Sequence, residues 1–186
     1  MVRRAPRDPA LIDALEAIPP EPFEGRLWRV TREGRDPCIG SRSGGRWDDQ
    51  TFDVLYTCET REGAIAEMRY HLSKGQPVVP SKPRYRLHEL RVELSAALVL
   101  TDTSILERLG IDMSRFGRLT YVNREEEYTR SQIIGEIAFF LDLDAVRVPN
   151  ARHPESINAV LFTERVDPDC IEHIHDHGVV NFADSP

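Results

Sequence analysis

The chain has 186 residues, 40% of them hydrophobic, and carries a formal net charge of −7 from 31 acidic and 24 basic residues. That is the size of one domain with a core of its own. The acidic balance excludes a large electrostatic footprint for nucleic acid, although a local basic pocket remains compatible with it. The three cysteines, Cys38, Cys58 and Cys170, include no C-x-x-C pair, which argues against a disulfide framework or a metal site and for a reducing compartment. Cys58, in an apolar run, reads as a small buried hydrophobe. The basic start MVRRAPRDPALIDAL has no continuous apolar stretch like that of a secretory signal. No run reaches the length needed to span a bilayer, so the expected location is the cytoplasm, without membrane contact.

In chain order, Asp8 and Pro9 read as the N-cap and first residue of a helix. Leu11, Ile12, Leu15 and Ile18 repeat at helical spacing, and Pro19-Pro20 stops the helix. Residues 19–25 read as a connection, and Arg26 to Thr31 as a strand. Residues 33–51 hold Gly34, Gly40, Gly44 and Gly45 among polar groups. A loop of that length in a compact domain is usually functional or disordered. Phe52 to Cys58 reads as a buried strand. A helix follows from Thr60 as N-cap, with Ala64, Ile65, Met68 and Leu72 as its apolar stripe. A turn at Lys74-Gly75 and prolines 77, 80 and 83 separate it from the next strands. Arg84 to Leu94 alternates, as a half-exposed strand does. Ala97 to Asp102 is a further strand, and a short helix capped by Asp102 or Thr103 ends at Gly110. Arg124 to Leu141 reads as a long helix with Ile133, Ile134, Ile137, Phe140 and Leu141 inward. Strands DAVRVP and NAVLF flank the turn NARHPES. The mixed order predicts an α+β fold, a mixed or antiparallel sheet with helices packed on it.

Three segments could carry chemistry. The first is Gly44-Gly45-Arg46-Trp47-Asp48 with Tyr56 and Glu67. Glycines let backbone approach a ligand, and arginine pairs with phosphate through two parallel hydrogen bonds. Tyrosine offers an aromatic face and a hydroxyl, while a glutamate can hold a sugar hydroxyl or stabilise positive charge on a sugar carbon. A strand, a turn and a helix can aim all three side chains at one concavity. Taken singly, each residue type also has an ordinary reading as solvated loop, core or surface. The second segment, Val148 to Asn158, reads first as a turn, with its Asn, Arg and His available for polar contacts. The third, His173 to His177 (HIHDH), places three histidines at alternate positions. Without carboxylate or cysteine partners at metal-ligand spacing, it reads as structural or surface. The acidic run Glu125-Glu126-Glu127 complements the dipole of the helix it opens.

With these residues in view, the chain resembles the RES-domain toxins of bacterial RES–Xre type II toxin–antitoxin systems. LWRV, SGGRWDD and VLYTCETREGAIAEMRYHL resemble the start of a RES domain, and DAVRVPNARHPESINAVLF resembles its end. The resemblance covers about residues 26–165. It implies a helix and linker over 1–25 ahead of a single RES unit over 26–186, with an ADP-ribosyltransferase-like fold. It implies NAD+ as substrate, no metal, and cleavage at the nicotinamide–ribose bond with transfer of ADP-ribose to water, phosphate or a cytosolic protein target. A helix-turn-helix (Xre-type) antitoxin is the implied partner. The implied catalytic residues are Arg46, Tyr56 and Glu67. Arg29, Arg46, Tyr56, Asn150 and Asn158 are implied to contact NAD+, with Asn150 standing where the family often has serine. The alternative that the residues leave open is a module that binds a nucleotide or a partner without chemistry. Only the enzyme reading requires Glu67.

Overall fold

The computed structural model describes residues 6–73, 83–119 and 122–182. The turn expected at Lys74-Gly75 and prolines 77 and 80 lie outside the described residues. Asp8 caps helix α1 (Pro9–Glu16) by accepting from Ala10 N at 3.1 Å. The chain then enters strand β1 (Glu21–Arg32) earlier than expected, because most of the 19–25 segment is extended. Its partner β3 (Tyr85–Val99) pairs with it antiparallel from Arg32↔Tyr85 to Glu21↔Ala97. Pro22 falls at the irregularity between Glu21 and Phe23, a place where a missing N–H does no harm.

Strand β2 (Val54–Cys58) leads through Thr60 into helix α2 (Arg61–Ser73), and the Thr60 hydroxyl accepts from Gly63 N at 3.1 Å. The strands expected at 84–94 and 97–102 are one strand, β3. It runs through the expected break, where the Asp144 carboxylate accepts from Ser95 N and Ala96 N at 2.6 and 2.9 Å. Nor is its first half half-exposed: Leu87, His88, Glu89 and Leu90 are all buried, because strands flank it on both edges. Helix α3 (Thr103–Arg108) starts at the Asp102 cap and ends before Gly110, which takes φ +87. Helix α4 (Arg124–Phe140) is followed by β4 (Ala145–Pro149), β5 (Ile157–Phe162) and β6 (Ile171–Val179).

The fold is mixed α+β. Pairings run β1–β2–β5–β4–β3 and return from β3 to β1, so the sheet closes on itself, with β3–β4 its parallel pair. β1 takes one edge of β3, so β6 and β4 share the other. Alternate residues serve two main cores, beside a smaller cluster of Val30, Cys58, Ala64 and Leu87. Val54, Leu98, Val146, Val160 and Phe162 face α1, α3 and α4 with Leu11, Leu106 and Ile134. Leu27, Leu55, Leu90, Ala145 and Leu161 form the second core, on the face that closure turns inward. On α4 the buried face runs through Tyr128, Ser131, Ile134, Gly135 and Ala138. Ile133 and Phe140, expected inward, are instead exposed, at 39% and 46%. Ile133 lies about 100° around the helix from Ile134, and Phe140 lies under the Arg7 guanidinium. The HIHDH segment lies on β6 as an ordinary strand. His173 Nε2 meets His88 Nδ1 at 3.2 Å, His177 bonds Glu89, and His175 packs on His177.

Candidate functional site

A single pair, Trp28↔Cys58, joins β1 to β2. Beside it the two strands part, and a pocket of about 550 Å³ opens there. Its walls come from the ends of both strands, the loop around Gly44–Trp47, one face of α2, the start of α4, and Arg152 and Asn158.

The glycine loop is built around Asp48, which is fully buried. Its carboxylate accepts from Gly44 N and Gly45 N, each at 2.7 Å, and from the Tyr56 hydroxyl at 2.9 Å. That hydroxyl in turn accepts from Trp47 N at 2.9 Å. Burial, and then the Asp48 charge, pushes the Tyr56 phenol well above its ordinary pKa, so it stays protonated. A Cβ on Gly45 would sit 2.5 Å from the Tyr56 oxygen; only glycine permits this packing. Tyr56 was expected to contact NAD+. Its ring does border the pocket, but its hydroxyl is committed to holding the loop. From α4, Gln132 Nε2 donates to Gly45 O at 2.8 Å. Gly135 leaves room for the Trp47 carbonyl, which any Cβ there would strike.

Arg46 is 9% exposed. Its Nη1 pairs with Glu127, and its guanidinium carbon lies 4.4 Å from the centre of the Phe116 ring and 4.8 Å from that of Tyr128. Glu127 therefore does more than complement the α4 dipole, while Glu125 and Glu126 are exposed.

Glu67 projects from α2 into the pocket. Its Oε1 accepts from Asn158 Nδ2 at 3.0 Å, and Asn158 Oδ1 accepts from Asn150 Nδ2 at 2.9 Å. A carboxylate only accepts, so the Asn158 amide has one orientation that satisfies both neighbours. Asn150, expected to contact the ligand, stands one layer behind. It is 3% exposed, and its Oδ1 takes Arg152 N and His153 N at 2.7 and 2.9 Å. Its place is to fix Asn158 and the 150–153 turn. Arg29 is also largely spent on structure. Its Nη1 donates to Pro37 O and Ile39 O at 2.7 and 2.9 Å, bracing the loop from beneath. Burial, then the neighbouring Arg35, lowers its pKa to about 10, so it remains charged at neutral pH.

The family model for the RES domain matches residues 26–181. The chain belongs to the RES family. Its fold is similar to that of a chain in the crystal structure of the M. tuberculosis MbcT–MbcA toxin–antitoxin complex, with a TM-score of 0.78 and 21% identity over 95% of this chain and 94% of that one. No curated protein matches the chain.

The electrostatics of the RES pocket oppose those of the whole chain. Arg29, Arg32, Arg35, Arg46, Arg124 and Arg152 line it, and Glu67 is the one carboxylate among its described lining residues. A concavity so lined concentrates positive potential inside an acidic protein. His71, one turn beyond Glu67, has its Nε2 3.9 Å from Glu67 Oε2. Although the side chain is 48% exposed, desolvation against the pocket wall pushes its pKa down against the pull of Glu67, with Arg152, Arg124 and Arg46 adding to the lowering. Sequence reasoning missed Asp48 as the loop's organiser, Glu127 as the partner of Arg46, and His71.

Among the described residues no group of histidines, cysteines and carboxylates is arranged to hold a metal ion, and no helix is long and apolar enough to cross a membrane.

Proposed function

We propose that this RES domain is the toxin of a cytoplasmic toxin–antitoxin pair and cleaves NAD+ at the nicotinamide–ribose bond. The observation that carries the reading is Glu67, a carboxylate oriented by Asn158 at the wall of a pocket otherwise lined by arginines. Family membership supports it, as does the likeness to a toxin–antitoxin complex.

The arginines meet the pyrophosphate, and the aromatic rims of Trp28 and Tyr56 enclose the nicotinamide riboside end. As the C1′–N bond breaks, its electron pair passes to the pyridinium nitrogen, which leaves as neutral nicotinamide. The ribose then carries oxocarbenium charge. Glu67 faces that charge with its own, as carboxylates do in glycoside cleavage, and Asn158 keeps it from turning away. An acceptor (water, phosphate or a side chain of a cytosolic protein) closes the reaction by bonding to C1′ and losing its proton. A helix-turn-helix antitoxin of Xre type is the neutralising partner.

The test is expression in bacteria without an antitoxin. Arrested growth, with depleted NAD+ or ADP-ribosylated protein, is expected. Normal growth with soluble, folded protein present overturns the toxin reading.

A further inference from the structure

We propose that Glu127 is a positioning residue that sets Arg46 for the phosphates of the substrate. This rests on the reading of the pocket as an NAD+ site. Glu127 Oε1 accepts from two donors at once, Arg46 Nη1 and Gly117 N, the latter at 2.6 Å. The side chains of Glu127 and Arg46 are 4% and 10% exposed. Stability alone is a weak reason for such a pair, because desolvating both ions offsets much of their attraction and an apolar pair would pack as well.

What the carboxylate does achieve is geometric. It fixes one corner of the Arg46 guanidinium. Through Gly117 it also fixes the segment carrying Phe116, whose ring lies against that same guanidinium. Gly117 is held from its other side, since its carbonyl accepts from Arg152 Nη1, and its φ of +72 and the Ala151 carbonyl 2.6 Å from any Cβ confine it. Arg46 Nε and Nη2 form no hydrogen bond among the described residues, yet neither is a buried atom lacking a partner. Those two donors thus keep accessible surface on a side chain that lines the pocket, the edge with which an arginine grips a phosphate in two parallel bonds. Glu127 takes one corner so that the opposite edge is presented in a fixed orientation.

The experiment compares wild type, Glu127→Gln, Glu127→Asp, Glu127→Ala, Arg46→Ala and the double variant Glu127→Ala/Arg46→Ala. It reads steady-state nicotinamide release, calorimetric binding of ADP, and thermal melting. Gln keeps an oxygen for both donors, so KM for NAD+ and Kd for ADP stay within about threefold of wild type, whereas Glu127→Ala raises both about tenfold with little change in kcat. In the Arg46→Ala background, removing Glu127 adds nothing to either constant. Glu127→Asp, which keeps the charge but withdraws it by one methylene, weakens binding without unfolding the protein; it carries the test if Glu127→Ala fails to fold.

The proposal is overturned by unchanged KM and Kd in Glu127→Asp and in a folded Glu127→Ala, by an equal loss with and without Arg46, or by tighter ADP binding in Glu127→Gln and Glu127→Ala alike. Absence of nicotinamide release by a wild type that binds ADP through Glu127 would sink the NAD+ reading and leave the positioning role standing. Release with an unchanged KM in the Glu127 variants would do the reverse. A wild type that neither binds ADP nor releases nicotinamide overturns both.

Discussion

Replacing Glu67 with glutamine isolates the charge on which the proposed chemistry depends. Glu67 Oε1 accepts one bond, from Asn158 Nδ2, and a glutamine oxygen accepts the same bond, so the α2 face and the Asn158–Asn150 chain stay as they are. Stability therefore changes by no more than about 0.5 kcal/mol. Substrate affinity holds or improves, because the change removes a negative charge from a pocket that receives an anion. Turnover loses the interaction that strengthens only in the transition state. The loss of one preorganised electrostatic group is worth about 2.7–4 kcal/mol, or roughly a hundredfold to a thousandfold in rate. The assay is single-turnover nicotinamide release beside a thermal melt, with KM from steady state. Wild-type release by a folded Glu67→Gln protein refutes the reasoning.

Three further outcomes follow from the same geometry. Asn158→Asp sets a second carboxylate against Glu67, so the two share a proton, and the pH–rate profile gains an ionisation above the ordinary carboxylate range that Asn158→Ala lacks. Tyr56→Phe leaves the N–H of Trp47 without its acceptor and takes one donor from an Asp48 oxygen that keeps Gly45 N, costs about 1–3 kcal/mol in denaturant unfolding, and raises KM for NAD+ by loosening the glycine loop; unchanged stability would show that the loop stands without that hydroxyl. Burial of His88, which is 5% exposed, lowers its pKa in the folded state. The unfolded chain thus binds more protons just below its ordinary histidine pKa of about 6.5, and stability falls as the pH drops from there through the folded values. His88→Gln makes that fall shallower in denaturant titrations at successive pH values, and an identical slope would contradict the assignment.

Local chemistry made much of this fold legible. Asp8 and Asp102 cap the helices their positions announce, and Thr60 opens α2. The glycine loop, Arg46, Tyr56 and Glu67 do line one pocket. What escaped depended on partners far along the chain. The break expected near Ser95 disappears because Asp144 ties both amides there, and β1 begins early because β3 offers it an edge. Asn150 was implied as a ligand contact by the family resemblance, whereas its bonds to Gly63 O at the start of α2 and to Asn158 show it as a brace. Glu127 looked like one of three dipole-complementing glutamates. A usable signal was present, since Glu127 precedes Ser131, Ile134 and Ala138 at spacings of four, seven and eleven, the periodicity of the buried face. A carboxylate on that face needs a cation, and Arg46 is the cation that reaches it.

Cleavage of NAD+ is read by incubating the purified chain with NAD+ labelled in the nicotinamide ring, in plain buffer, with inorganic phosphate, and with bacterial extract. Free nicotinamide in molar excess over protein is expected in at least one of these conditions, and its loss in Glu67→Gln. Intact NAD+ in all three, with the protein folded throughout, would contradict the proposed cleavage.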